Sequence, residues 1–345
     1  MILRGAISGF GAVAVNAHLP GWQSRPDISI VAIHDPLAAR RHHAIHLLKN
    51  IRVYDDLELM LDGESLDFLD IASPPVFHGP AAELALQAGV NVIVEKPLCL
   101  DGRELTRLLS LAAQNNRLLF CVHNWKYSHA YQRVNELIVS GVIGEVQYIS
   151  LVRMRPGPAG SNAGSANHGK SWRLNPQMGG GILIDHGWHV FYLAQWLMGG
   201  EKPRFVSSYL RFNPNSRADE LADIRLEFEE GRIGNVLLSW TAPTRLTTTR
   251  IVGTEGLLEV DGGKIVLADR LGECRNYSVP DDAADSYHAP WFVSAAADYE
   301  QLLRDGPHAE LARINLDEAS TTLASIDAAR LSAAQDGRRV ALNSR

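Results

Sequence analysis

The fold expected for this chain follows from an apolar segment near its amino terminus and the glycine turn after it. The segment Ile2-Leu3-Arg4-Gly5-Ala6-Ile7-Ser8 leads into Gly9-Phe10-Gly11-Ala12-Val13-Ala14, which has the pattern G-x-G-x-x-A. The first glycine of this pattern makes a tight turn, the second lets backbone approach a pyrophosphate, and the small last residue allows close helix packing. The segment therefore predicts a strand, a turn and a helix that hold a dinucleotide through Gly9, Phe10, Gly11, Ala12 and Val13. A plain glycine turn is the alternative interpretation.

The first third of the chain alternates short apolar runs with helical patterns, as expected for βαβ units and a parallel sheet. The predicted strands cover residues 2–8, 28–34, 52–54, 66–72, 92–95 and 118–122. We therefore expect an α/β fold whose amino-terminal domain, residues 1–123, is a doubly wound parallel sheet of the Rossmann type.

The pattern changes in the remainder of the chain. Helices are expected at residues 130–140, 180–197, 291–303 and 316–334, and strands at residues 147–155, 204–212, 224–228, 234–240, 247–252, 257–260 and 264–268. Turn residues separate these strands, which is typical of an antiparallel meander. Residues 124–345 are thus predicted to form an α+β domain with an open, mainly antiparallel sheet.

Composition excludes several classes of protein. The 345 residues are 46% hydrophobic and 21% charged, with a formal net charge of -6, so no basic surface for nucleic acid is expected. No signal-peptide pattern and no apolar run long enough to span a membrane is present. The odd cysteine count, Cys99, Cys121 and Cys274, favours reduced thiols and a cytoplasmic location.

An acidic residue, Asp35, ends the second predicted strand and precedes Pro36. A carboxylate at this position accepts the ribose hydroxyls of NAD and repels the 2′-phosphate of NADP. Asp35 can also cap the following helix, and both roles are compatible. NAD is therefore the expected cofactor, while Arg40 and Arg41 keep NADP open.

Two further strand ends carry candidate residues. Ser73-Pro74-Pro75, with His78, follows the fourth strand and can wrap the diphosphate and the nicotinamide ribose, although the prolines can also merely stop the strand. Asn91-Val92-Ile93-Val94-Glu95-Lys96-Pro97 ends the fifth strand with a lysine. Burying a lysine is costly unless it has a partner or a task, so Lys96 is a candidate catalytic residue beside the reacting oxygen. Glu95 and Lys96 are also candidate cofactor contacts.

Asp185 and His189 lie four residues apart in a predicted helix and so share one face. A histidine titrates near neutral pH and can take a hydroxyl proton as hydride leaves the carbon, while the aspartate orients it or binds a neighbouring hydroxyl. A polar pair on a solvated face and a pair of metal ligands are the alternatives. His42 and His46 also have metal-ligand spacing, but a solvated helix face is the favoured interpretation, so no metal is expected.

These motifs together resemble the glucose–fructose oxidoreductase/inositol dehydrogenase family, Gfo/Idh/MocA, over nearly the whole chain. Besides the motifs above, the resemblance rests on Trp172-Arg173-Leu174 and Gly179-Gly180-Gly181. It implies an open sheet that forms contacts in a homodimer or homotetramer. It also implies that Lys96, Asp185 and His189 surround nicotinamide and substrate, that Asn124 and Trp172 lie near the nicotinamide, and that Lys126 and Arg173 contact substrate.

The segment Trp125-Lys126-Tyr127-Ser128-His129 departs from the pattern common in that family, which puts the substrate pocket in doubt but not the cofactor site. The leading hypothesis is an NAD(P)-dependent oxidoreductase acting on a secondary alcohol of a sugar, cyclitol or sugar-derived acid. The alternatives are an enzyme that retains NAD and uses transient oxidation for elimination or hydrolysis, and a regulatory dinucleotide-binding protein without turnover. Residues 157–170, with His168 and Lys170, are a candidate substrate-covering loop.

Overall fold

The computed structural model describes residues 2–158, 171–280 and 287–342. The chain divides into two compact units. The first unit consists of Met1–Asn124 and Tyr287–Ser320, and the second of Trp125–Ser286 and Thr321–Arg345. The late segment Tyr287–Ser320 thus belongs to the same compact unit as the amino-terminal sheet, whereas the sequence predicted residues 124–345 as one domain.

The first unit contains a six-stranded sheet in which every neighbouring pair is parallel. Its strands are β1 Leu3–Ser8, β2 Ile28–His34, β3 Arg52–Tyr54, β4 Phe68–Ile71, β5 Asn91–Val94 and β6 Leu119–Cys121. The order β3-β2-β1-β4-β5-β6 reverses direction next to β1. In such sheets ligands bind outside the carboxyl ends of the strands at this reversal point, so the glycine turn after β1 lies where a cofactor is expected.

Helices connect these strands. After the glycine turn, a π-helical turn, Ala14–His18, continues as α1 Leu19–Gln23. The others are α2 Ala38–Leu47, α3 Leu57–Gly63, α4 His78–Gln87 and α5 Gly102–Gln114. Asp56 and Asp101 cap α3 and α5, because their side chains accept hydrogen bonds from the first backbone N–H groups of those helices.

The helix α8, Ala289–Asp305, packs within the first unit. Its Phe292 stacks on His18 with ring centroids 4.0 Å apart and meets Trp22 edge to face at 5.6 Å. A Cβ atom at Gly21 would overlap the Phe292 ring, so the glycine permits this close approach. Aromatic packing thus explains why a segment distant in sequence belongs to the amino-terminal sheet.

The second unit contains a nine-stranded sheet in the order β14-β13-β12-β11-β7-β10-β9-β8-β15. The strands are β7 Val146–Met154, β8 Phe205–Phe212, β9 Asp219–Glu227, β10 Ile233–Ser239, β11 Leu246–Gly253, β12 Gly256–Asp261, β13 Lys264–Asp269, β14 Cys274–Ser278 and β15 Val340–Ala341. All neighbouring pairs are antiparallel except β7 and β10, which are parallel.

Helices α6 His129–Val139 and α7 Trp188–Leu197 belong to the second unit, and α9 spans Glu310–Ala334. The segment predicted as one helix over residues 180–197 differs in the structure, because Leu183–Gly187 is a π-helical turn that precedes α7. Nearly all of α7 is buried.

The α/β class, the parallel amino-terminal sheet and the mainly antiparallel second sheet are confirmed. Two strands, β14 and β15, were not predicted. Of the predicted substrate-covering loop, residues 159–170, which include His168 and Lys170, lie outside the described residues. Among the helices that the structure describes, none combines the length and apolar character needed to cross a membrane.

Candidate active site

The glycine turn after β1 lies against the turn after β4. Gly9 has φ +90°, and a Cβ atom there would come within 2.6 Å of the Cα and N atoms of Ser73. The Gly9 N–H donates to His34 O at 2.8 Å. A side chain at Gly9 would therefore push apart the two turns that the sequence assigned to cofactor binding, which explains the glycine in physical terms.

The environment of this turn fits a dinucleotide. A Cβ atom at Gly11 would meet only the Arg40 guanidinium, at 3.8 Å, so protein atoms leave space for a ligand to approach the backbone. Ala14 is fully buried, as its role in helix packing requires. Ser73 Oγ and Asn124 Oδ1 are buried and have no hydrogen-bond partner within the described parts of the chain. Buried polar atoms are normally satisfied, so these two fit a site completed by a ligand.

Asp35 is fully buried at the end of β2. Its carboxylate accepts hydrogen bonds from the N–H groups of Phe10 and Leu37, both at 2.9 Å. Arg40 Nη1 lies 3.1 Å from Asp35 Oδ2. Asp35 thus holds the glycine turn and the start of the next segment together. The predicted capping of the next helix is wrong, because Leu37 is the N-cap residue of α2 and no side-chain capping bond is formed there. The role of Asp35 beside the cofactor stays a prediction.

His78 connects two of the predicted motifs. Its Nδ1 lies 2.6 Å from Pro97 O and its Nε2 lies 2.7 Å from Ser73 O. Burial lowers the pKa of His78, while the two carbonyl groups act in the opposite direction. His78 therefore ties the Ser73-Pro74-Pro75 turn to the segment that carries Lys96, which is a positioning role within the cofactor half of the site.

Lys96 follows a buried network that the sequence did not reveal. The Lys96 N–H donates to Glu95 Oε2 at 2.9 Å, and Glu95 Oε1 lies 3.3 Å from His18 Nε2. The other nitrogen of His18 contacts both oxygens of Asp70 at 2.9 Å. The sequence predicted Glu95 as a cofactor contact, and the structure places its carboxylate against His18 and the backbone of Lys96.

In the second unit, the glycine run brings the chain back against Trp172 and Arg173. A Cβ atom at Gly180 would lie 2.5 Å from the carbonyl oxygens of both residues. Gly181 has φ +117°, and its N–H donates to Arg173 O at 2.9 Å. A Cβ atom at Gly181 would overlap the Asp219 carboxylate. Because no side chain fits at either glycine, the run fixes the position of the Trp172-Arg173 turn.

Asp219 anchors the turn that carries Asp185. Its carboxylate accepts a hydrogen bond from the Leu183 N–H at 2.7 Å, and burial raises its pKa. Capping by this buried carboxylate stabilises the first turn of the segment. Asp219 was not identified from the sequence, since it lies 36 residues from its partner.

His189 is buried, and two neighbours fix its ring. Its Nδ1 lies 2.9 Å from the Tyr192 hydroxyl, which also accepts a hydrogen bond from the Trp125 N–H at 3.0 Å. The Trp125 ring stacks on the imidazole with centroids 4.4 Å apart and an interplanar angle of 5°. Tyr192 was missed by the sequence analysis, although its position three residues after His189 places it on the same helix face.

Asp185 is buried, and its carboxylate pairs with Arg173 and lies close to the His186 ring. Arg173 Nε lies 3.0 Å and His186 Nδ1 lies 3.3 Å from Asp185 Oδ2. The Arg173 guanidinium lies 4.4 Å over the Trp172 ring. The structure thus brings together three residues that the sequence assigned to the site, Asp185, Arg173 and Trp172. Lys126, the other predicted substrate contact, has its Nζ 5.5 Å from the Trp196 ring centroid.

Within residues 2–158, 171–280 and 287–342, no three His, Cys, Asp or Glu side chains are arranged to hold a metal ion. His42 and His46 are both exposed on α2.

A parallel sheet with a glycine turn at its reversal point, joined to a second unit with a buried Asp-His segment, defines a dinucleotide-binding enzyme of two parts. Residues 3–123 match a family model described as an oxidoreductase family with an NAD-binding Rossmann fold. Residues 131–259 match the GFO/IDH/MocA C-terminal domain. The chain is an NAD-binding oxidoreductase, and it belongs to the Gfo/Idh/MocA family.

Several characterised proteins are similar to this chain. D-apiose dehydrogenase from Paraburkholderia graminis is 27% identical over 354 residues, which cover 99% of this chain and 90% of that protein. An oxidoreductase from Agrobacterium radiobacter, in complex with NAD+, L-tartaric acid and magnesium, has a TM-score of 0.85 at 22% identity and covers 99% of both chains. Myo-inositol 2-dehydrogenase from Lactobacillus plantarum has a TM-score of 0.81 at 20% identity, and the match covers 99% of this chain and 100% of that chain. These structures share the fold of this chain.

Proposed function

We propose that this protein catalyses the reversible oxidation of a secondary alcohol on a sugar, cyclitol or sugar-derived acid, with NAD as hydride acceptor. Membership of an NAD-binding oxidoreductase family and the similarity to a D-apiose dehydrogenase support this class of reaction. The observation that carries the proposal is the buried imidazole of His189, whose orientation is fixed by Tyr192 on one side and Trp125 on its face.

His189 acts as the general base in this proposal. In this proposal Nδ1 carries the imidazole hydrogen and donates it to the Tyr192 hydroxyl 2.9 Å away, which leaves Nε2 unprotonated and able to take the alcohol proton. Stacking against Trp125 keeps the ring from rotating, so the base needs no rearrangement when the alcohol proton leaves. Tyr192 is a positioning residue, since its role is exerted through His189.

Lys96 donates a hydrogen bond to the same alcohol oxygen and stabilises the negative charge that develops there. The Lys96 backbone donates a hydrogen bond to Glu95, which is held by His18, and His18 is held in turn by Asp70. On the other side, His78 contacts the carbonyl of Pro97, the residue after Lys96. A rigid backbone at this point limits the positions that the lysine side chain can sample, as an electrostatic role requires.

Asp185 binds a neighbouring hydroxyl of the substrate and is held in place by Arg173. Bound NAD would supply the acceptor for the hydride of the carbinol carbon. Gly9, Phe10, Gly11, Ala12 and Val13, with Asp35, Ser73, Pro74, Pro75 and Asn124, would hold it, and Trp172 is proposed to contact the nicotinamide. The orphaned Ser73 Oγ and Asn124 Oδ1 support this assignment.

Assembly and location form a separate part of the proposal. The open nine-stranded sheet of the second unit supports a homodimer or homotetramer, because Tyr209 and Phe212 on β8 are 62% and 50% exposed. Light scattering on the purified protein tests this. Three cysteines without a disulfide support a cytoplasmic location.

A two-stage screen tests the proposed reaction. Thermal shift with NAD and NADP identifies the preferred cofactor, and a panel of sugars, inositols and sugar acids is then tested with that cofactor, because a specific ligand raises the melting temperature by mass action. Substrates that shift the melting temperature should form NADH. Tightly retained cofactor without net NADH would instead support transient oxidation for elimination or hydrolysis. Failure of every polyol both to bind and to react would contradict the proposal.

A further inference from the structure

In the second unit, the charge of Arg155 interacts with those of Asp185, Arg173 and Arg245, and Arg153 precedes it on the same strand. Arg153 lies near the end of β7 and Arg155 follows that strand. The backbone remains extended there, since the Arg155 N–H donates to Ser239 O at 2.9 Å. Side chains two apart on a strand point to the same face, so Arg153 and Arg155 share one face of the sheet.

Strand register brings Arg245 to the same place. In the β7–β11 pair, Thr247 lies opposite Arg153 and Leu246 lies opposite Met154. Continued one step beyond the strands, this register would place Arg245, which is exposed, opposite Arg155, and their like charges repel each other. Like charges opposite each other on neighbouring strands are destabilising, so an anion bound between them would relieve the repulsion.

The carboxylate of Asp185 compensates the cluster only in part. It pairs with Arg173 at 3.0 Å. Burial lowers the pKa of Arg155, Asp185 opposes that effect, and Arg245 and Arg173 add to it. The charge of Arg155 therefore interacts with the charges of Asp185, Arg245 and Arg173. Within the chain that the structure describes, neither Arg155 nor Arg245 forms an ion pair with a carboxylate, so the group carries excess positive charge.

Arg153 adds a buried cation close to Trp125, the ring that stacks on His189. It is 4% exposed, and its Nη atoms donate to Tyr131 Oη, to Thr249 Oγ1 and to the carbonyls of Val152 and Thr248. These acceptors are all neutral, and Arg153 Nε has no hydrogen-bond partner within the described residues. The guanidinium lies 5.3 Å from the centroid of Trp125, the ring that stacks on His189. Burying a charge without a counter-ion is costly, so an anion nearby would relieve an unfavourable state.

We propose that the substrate of this enzyme is an anionic polyol, whose carboxylate or phosphate group is bound by Arg155 and Arg245. The inference rests on the proposed function, because it places the reacting hydroxyl at His189. Arginine presents a planar fork that matches both oxyanions bidentately. Arg173 keeps Asp185 in position, and Arg155 and Arg245 remain to receive the ligand.

The test compares matched substrates and matched variants. Sugar acids and sugar phosphates are assayed beside the corresponding neutral sugars, with NAD, by NADH formation and by thermal shift. The variants are Arg155→Gln and Arg245→Gln, with Arg155→Lys as the charge-conserving replacement. Arg250→Gln is the control. Arg250 lies on β11, which begins directly after Arg245, and its side chain points to the face of the sheet opposite to that of Arg153, where it pairs with Glu259.

An acid or phosphate should be oxidised with a kcat/KM at least roughly tenfold above that of its neutral counterpart, because a charge-assisted bidentate contact is strong. Arg155→Gln and Arg245→Gln should raise KM for the anion by about tenfold or more with little change in kcat. Arg155→Lys should raise KM less than Arg155→Gln does, because it keeps the positive charge. Arg250→Gln should leave both constants unchanged. Comparison of carboxylates with phosphates identifies which oxyanion the site accepts.

The outcomes separate this inference from the proposed function. Neutral polyols oxidised as well as or better than their acids and phosphates would overturn the inference and leave the proposed function standing. Anions that raise the melting temperature only when Arg155 is present, with no NADH formed, would support the anion site and contradict the proposed reaction. If neither class binds or reacts, both are overturned.

Discussion

The imidazole of His18 and the carboxylate of Asp70 form a fully buried pair, with His18 Nδ1 2.9 Å from each carboxylate oxygen. Trp22 Nε1 also donates to Asp70 at 2.6 Å, and Glu95 faces the second nitrogen of His18. Phe292 covers one face of the ring. The histidine thus lies between two carboxylates in the core of the first unit. One of them belongs to Glu95, the residue that precedes Lys96.

This arrangement predicts a pH-dependent stability. Burial acts to lower the pKa of His18, but Asp70 and Glu95 raise it from 6.5 to about 9. Because the folded state binds this proton more tightly than the unfolded state, the stabilisation is present in full below about pH 6.5 and is lost as the pH rises through about 9. A rise of that size corresponds to about 3 kcal/mol.

Urea unfolding across this pH window measures the effect. The wild-type free energy of unfolding should fall between about pH 6.5 and 9, and His18→Gln should be less stable and nearly flat over the same range. His46→Gln, at an exposed histidine of α2, should decline as the wild type does. A His18→Gln protein that declines in parallel with the wild type would contradict the assignment.

Removal of the Tyr192 hydroxyl should impair turnover more than folding. Tyr192→Phe deletes the group that holds His189 Nδ1 and accepts from the Trp125 N–H. We expect kcat to fall by roughly tenfold and the pH profile of kcat/KM to shift, because the base loses its fixed orientation. The stability should change by about 1 kcal/mol, and the dissociation constant for NAD should stay the same.

Tyr148→Phe is the control for this prediction, since Tyr148 lies near the start of β7 and its hydroxyl accepts a hydrogen bond from Asn235 and not from the His189 site. A Tyr192→Phe enzyme with an unchanged pH profile would show that the hydroxyl has only a structural role.

Two glycines at positive φ should respond differently to alanine. Gly181→Ala places a methyl group on the Asp219 carboxylate that caps the Asp185 segment, whereas a Cβ at Gly199 meets no atom within 4 Å. Gly181→Ala should therefore lose roughly 3 kcal/mol or more, by overlap added to backbone strain. Gly199→Ala should lose about 1 to 2 kcal/mol from strain alone. Chemical denaturation compares the two, and equal losses would show that Asp219 moves aside freely.

NAD should be preferred over NADP. The buried carboxylate of Asp35 holds the Phe10 N–H and repels a 2′-phosphate. Arg40, which pairs with Asp35 and lies next to Gly11, is the cation that would accept that phosphate. Arg40→Ala should thus weaken NADP binding more than NAD binding, by about tenfold. Isothermal titration with both cofactors checks this, and tighter binding of NADP to the wild type would reverse the assignment.

Much of the fold could be predicted from local patterns. Parallel strands buried on both faces produce continuous apolar runs, and so β1 to β6 could be located from sequence alone. Exposed β14, Cys274–Ser278, has no apolar alternation, and β15 has only two residues, so neither carries a signal. The parallel pairing of β7 with β10 depends on tertiary packing that no local pattern records.

The candidate site was predictable where a residue lies in a motif. Gly9 lies in the tight turn that the G-x-G-x-x-A pattern predicted, whereas the close contacts of the glycine run, which entered only through the family resemblance, were not predicted. His18 was not, because its partners Asp70 and Glu95 lie 52 and 77 residues away and no spacing marks the group. The arginine cluster was missed for the same reason, since strand register, and not sequence distance, brings Arg245 to Arg155. The proposed roles of Lys96, Asp185 and His189 stay predictions that kinetics must test.

The most direct test of the central claim compares catalysis with cofactor binding in Lys96→Ala and His189→Ala. Each variant should lower kcat on the true substrate by about 10²- to 10⁴-fold, as expected for loss of a general base or an electrostatic group. The dissociation constant for NAD should stay within about threefold of the wild type, a change of less than about 1 kcal/mol. Full turnover in both variants would contradict the proposed roles of the two residues.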